Sequence, residues 1–134
     1  MKALATFSVE NFRPADIGAG SSIETALPVS VSTMLKRYAG EMTGTSETVF
    51  TAAFDRAAGK GTYVAMESFD GTVNEKSGSF NFLHSASTES GSRENEVFRI
   101  VDGSGTRDLV GISGSGGIAI DADGTHRIWL EYQL

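Results

Sequence analysis

Apolar and polar residues alternate one by one through most of the chain, and no segment carries a sustained helical period. Alternation of this kind places successive side chains on opposite faces of a strand, so it commits the chain to a sheet. Ala5, Phe7 and Val9 alternate with Thr6, Ser8 and Glu10 within 3–12. Val29, Val31, Thr33 and Leu35 alternate with Ser30, Ser32, Met34 and Lys36 within 29–38. Thr48, Phe50, Ala52 and Phe54 share one face of 45–54. Further strands are expected over 62–69, 79–87, 94–101, 111–121 and 125–134, with 14–26 as a loop and 71–78 as a connection. Asp123-Gly124 reads as a two-residue hairpin turn with positive φ at both positions. About eight strands with short links give an all-β fold, a closed antiparallel barrel in a single domain over 1–134. Both faces of several strands carry apolar residues. One face packs inside, and the other is available to a second copy, so a homo-oligomer is expected.

The stretch GSGTRDLVGISGSGGI, residues 103–118, holds six glycines in sixteen positions and invites three readings. A dinucleotide loop needs a helix after the glycines, whose N-terminus holds the phosphates. Here a turn follows instead, at Asp121-Ala-Asp-Gly124. A flexible linker would leave Leu109, Val110, Ile112, Ile118 and Ile120 exposed. A bent strand uses every residue. A tight turn at 103–105 leads to one short helical turn near 106–110, capped by Thr106. The later glycines then let the strand coil or approach a neighbour closely. Closing a small barrel needs such bends.

Composition narrows the function classes. The formal net charge is −6, with no basic stripe, which argues against nucleic acid and against anionic membrane. There is no cysteine, so disulfides, thiolate metal sites and cysteine nucleophiles are excluded. The apolar stretch at the N-terminus is short and interrupted, so a soluble, cytoplasmic protein is expected. The two histidines are far apart in sequence, and no metal site or cofactor is implied.

The run 29–54, with Lys36-Arg-Tyr-Ala-Gly-Glu-Met-Thr-Gly44, together with Tyr63-Val-Ala-Met-Glu-Ser-Phe69, Ser77-Gly-Ser-Phe-Asn-Phe-Leu-His84 and Gly103-Ser-Gly-Thr-Arg-Asp-Leu-Val-Gly-Ile-Ser-Gly114, resembles a bacterial family catalogued as domain of unknown function 3224. The likeness covers nearly the whole chain apart from 14–26. The glycine motif is also similar to the allene oxide cyclase and dirigent barrels. The resemblance implies a closed, allene oxide cyclase-like (calycin-type) barrel of about eight strands. It implies no activity.

The candidate ligand-binding residues sit on two neighbouring strands. A hairpin centred on Glu75-Lys76 would set Glu67 opposite His84 and Phe69 opposite Phe82, on one face with Tyr63, Ala65 and Phe80. A carboxyl and an imidazole among aromatic rings suit a general base with its orienter, or a polar contact for a ligand. They also suit a plain cross-strand hydrogen bond. His126, beside the turn, reads as solvated. Three functions follow: a barrel binding a small hydrophobic or amphipathic ligand; an isomerase or cyclase using Glu67 as acid or base; and a structural oligomer with a filled core. The loop over 14–26 would cover one mouth, and Glu67→Gln would leave folding intact.

Overall fold

The computed structural model describes residues 1–15 and 23–134. The loop expected to cover a mouth includes 16–22, outside the described residues. Eight strands account for most of the rest: β1 (Lys2–Pro14), β2 (Val29–Gly40), β3 (Met42–Asp55), β4 (Lys60–Val73), β5 (Lys76–Glu89), β6 (Ser92–Ile100), β7 (Ser113–Ile120) and β8 (His126–Gln133). Each pairs antiparallel with the next in chain order. β8 then pairs with β1, from Lys2↔Glu131 to Phe7↔His126, so the sheet closes into a ring. The weakest seam joins β6 to β7 through one partner pair, Arg99↔Ser115.

Three local expectations change. The connection over 71–78 is strand almost throughout, because β4 and β5 continue to a two-residue turn at Asn74-Glu75. Both turn residues have positive φ, 46° and 71°. Asn74 is pinned there by donating through Nδ2 to Lys2 O (2.9 Å) and to the Tyr132 hydroxyl (2.7 Å). The Asp123-Gly124 connection is longer than two residues. Asp121 N donates to Thr125 O (2.8 Å), and only Gly124 takes positive φ, at 89°. Asp123 instead accepts from Thr125 N at 3.0 Å.

The third change concerns the short helical turn. It exists as a 3-10 turn at Arg107–Leu109, but the Thr106 side chain does not cap it. Thr106 Oγ1 accepts from Ser79 N (3.0 Å) and bonds the Ser79 hydroxyl (2.6 Å), seating the turn on β5. The seat is close: a Cβ on Gly78 would lie 2.3 Å from Thr106 O.

The glycine stretch is a strand that lies hard against its neighbours. A Cβ on Gly114 would meet Glu131 O at 2.2 Å, and one on Gly117 would meet the Trp129 ring at 2.1 Å. Leu109 and Ile112 enter a core with Phe69, Phe80, Phe82, Ile100, Leu130 and Tyr132. This aromatic core fills the end of the ring nearest the Asn74-Glu75 turn.

Candidate functional site

Toward the opposite end the inward residues become polar. On β2 the inward face carries Ser32, Met34, Lys36 and Tyr38, whereas the more apolar face leaves Val29 exposed. Tertiary closure overrides the hydrophobic content of that strand. β3 contributes Ser46 and Thr48, and β4 contributes Glu67, which is 1% exposed.

Glu67 is held by three donors. Lys36 Nζ donates to Oε1 at 2.7 Å, and Ser46 Oγ donates to Oε2 at 2.5 Å. The Tyr38 hydroxyl also donates to Oε2. Burial, and then the Glu67 charge, hold the Tyr38 pKa well above its ordinary value. Lys36 Nζ also lies 4.7 Å from the centroid of the Phe7 ring. A buried carboxylate survives only with such partners, since unpaired charge is costly away from water.

The β4–β5 register places Glu67 opposite Phe82, Ala65 opposite His84 and Phe69 opposite Phe80. The expected Glu67–His84 and Phe69–Phe82 pairings are therefore two residues out of register. The turn lies one residue earlier than its expected centre, which moves each pairing by two and preserves the shared inward face. His84 has its own partners. Its Nε2 lies 2.8 Å from Glu96 Oε2, and its Nδ1 lies 3.3 Å from the Tyr63 hydroxyl. An ionised carboxylate only accepts, so Nε2 carries the proton and Nδ1 accepts from Tyr63. Burial is the main cause of a lowered His84 pKa, against the hydrogen bond that His84 donates to Glu96, which raises it. Burial likewise raises the Tyr63 pKa.

Tyr63 and His84 border a cavity of about 220 Å³, lined also by Phe7, Val9, Met34, Lys36, Thr48, Phe50, Ala65, Arg93, Ile118, Ile120 and His126. Of the six sequence candidates, Tyr63 and His84 line it. Glu67 sits behind Lys36 and Thr48, and Phe69, Phe80 and Phe82 belong to the filled core. His126 is not simply solvated: its ring packs 5.1 Å from that of Phe7. Lys36, Thr48 and Arg93 escaped the sequence reading because Lys and Arg are ordinarily surface residues. The available signal was Lys36 sharing a face with Ser30, Ser32 and Met34.

Three side-chain polar atoms are fully buried without a protein partner among the described residues: Thr48 Oγ1, Thr88 Oγ1 and Arg93 Nε. Arg93 Nη1 donates to Ile118 O at 2.7 Å and forms an ion pair with Glu96 Oε2 at 3.7 Å. Among the described residues no three His, Asp or Glu gather as a metal site. No helix among them is long and apolar enough to cross a membrane.

The model for "Protein of unknown function (DUF3224)" matches residues 3–132, so the chain belongs to that family. A crystal structure of a DUF3224 protein of unknown function from Shewanella oneidensis MR-1 is similar in fold. Its TM-score is 0.85 at 23% identity, over 100% of this chain and 96% of that one. Curated proteins give no match.

Proposed function

We propose that this member of the DUF3224 family is a barrel of the allene oxide cyclase kind that binds a small amphipathic ligand in the polar end of its interior. The observation that carries this reading is the cavity of about 220 Å³, whose largely apolar wall also carries Lys36, Tyr63, His84 and Arg93. Mostly apolar walls with a few convergent polar groups are what ligand sites share. The volume lies below the roughly 300–1,000 Å³ typical of sites for drug-sized molecules, so the ligand is small.

Native mass spectrometry of freshly purified protein tests this. Ala65 lines the cavity, and Ala65→Leu would fill it. A co-purified mass on the wild type that is absent from Ala65→Leu supports the reading. A mass retained equally by both places the ligand elsewhere.

A second reading rests on the Tyr63–His84–Glu96 chain. It resembles an acid–base relay, with a neutral imidazole between a hydroxyl and a carboxylate. In this reading the protein is an isomerase or cyclase. Glu67, held by three donors behind the lining, fixes Lys36 rather than acting as the acid or base itself. Turnover of the co-purified molecule that His84→Gln abolishes while binding persists would favour it over plain binding.

A further inference from the structure

We propose that two copies of this chain join through the outer faces of β3 to β6, about a two-fold axis that runs along the strands between β4 and β5. The registers set out that face in rows. Val49, Met66, Leu83 and Arg99 form one row across the four strands. Thr51, Val64, Ser85 and Val97 form the next. Thr48, Glu67, Phe82 and Phe98, their neighbours in the chain, are buried, so alternation turns both rows outward. Val49, Val64, Met66 and Val97 are each about half exposed. Arg99, at the edge of the first row, is the one charged residue in the two. A contiguous apolar patch bordered by charge marks an interaction site.

The charges at its margins point to a second copy as the occupant. Glu47 lies on β3, one row beyond Val49, and Arg99 lies on β6. Both are exposed, and neither forms an ion pair among the described residues. β3 and β6 stand equally far from the line between β4 and β5, one on each side. A two-fold axis along that line keeps every row at its own height and exchanges the sides. It sets Met66 against the partner's Leu83 and brings Glu47 within one row of the partner's Arg99. Neighbouring rows on one strand face are about 7 Å apart, a gap that Glu and Arg side chains together span. The symmetry makes each contact twice, as in any isologous interface. The remaining charges do not oppose it. Asp70 is paired with Arg107 at 2.7 Å, and Glu94 of β6 falls opposite the partner's Ala53, which is neutral.

The test is sedimentation of charge-reversed variants. Both positions are exposed, so the urea midpoints should stay near that of the wild type. The wild type is expected to sediment as a dimer. Glu47→Arg and Arg99→Glu, each made alone, should weaken self-association about tenfold, because a single reversal sets like charges together at both symmetry-related contacts. The double variant, Glu47→Arg with Arg99→Glu, should recover the wild-type dimer. Net charge alone predicts a different pattern. Glu47→Arg makes the chain less acidic and Arg99→Glu makes it more acidic, so the two would act in opposite directions. A monomeric wild type overturns the proposal and leaves the patch to a different partner. A double variant as weak as the single ones overturns it too, as does an assembly larger than a dimer.

Discussion

At the scale of single residues the account turns on how buried charge is compensated. Glu67 and Lys36 form a buried pair, so removing one charge strands the other. Glu67→Gln is therefore expected to lower stability by about 3 kcal/mol, in contrast to the sequence expectation of an intact fold. Urea denaturation measures this, and adding Lys36→Met should recover much of the loss. His84 gives a pH signature. Its folded pKa lies below the ordinary 6.5, so the unfolded chain takes up the proton first as pH falls. Its contribution is full above about pH 6.5 and is lost as pH drops through that value. The denaturation midpoint should thus fall between about pH 7.5 and about pH 5.5, and His84→Gln should flatten that fall. Tyr38 acts at the other extreme: its raised pKa means stability declines once pH passes about 10.

At the scale of elements, the strands were legible because period-two alternation is a strong signal. Their ends were not. Gly71 and Gly78 looked like a connection, yet they pair with each other inside β4 and β5. They are small because backbones press on them: a Cβ on Gly71 would sit 2.1 Å from Thr43 O. Close approach and turn formation call for the same residue, so sequence cannot separate them. Two substitutions distinguish backbone from side-chain crowding. Gly71→Ala meets a carbonyl that cannot move alone and should cost about 2 kcal/mol in thermal or chemical unfolding. Gly117→Ala meets the Trp129 ring, which is half-buried. It should shift the emission of this single tryptophan at a smaller cost in stability.

At the scale of the whole molecule, the ring divides into a filled aromatic end and an open polar end. The sequence revealed the shared inward face of Tyr63, Glu67 and His84, because strand alternation preserves a face under a two-residue slip. It did not reveal Lys36, Thr48 or Arg93, whose roles depend on strands distant in sequence meeting across the ring. The outside has a pattern of its own. Val49 and Met66 are register partners on β3 and β4, and with Val64 and Val97 they remain about half exposed. An apolar belt of this kind is a natural seat for a second copy. Sedimentation should show a dimer or larger assembly that Met66→Glu reduces to monomer. A wild type that sediments as a monomer would remove that expectation.

The open end itself is most directly tested without any ligand, by comparing the urea midpoints of Ala65→Leu and Ala3→Leu. Ala65 faces the cavity, and Ala3 is fully buried in the aromatic core. The account predicts that Ala65→Leu folds with stability near or above that of the wild type, whereas Ala3→Leu loses about 1–3 kcal/mol through overpacking. Equal losses at both positions would mean that the ring is filled from end to end and holds no site.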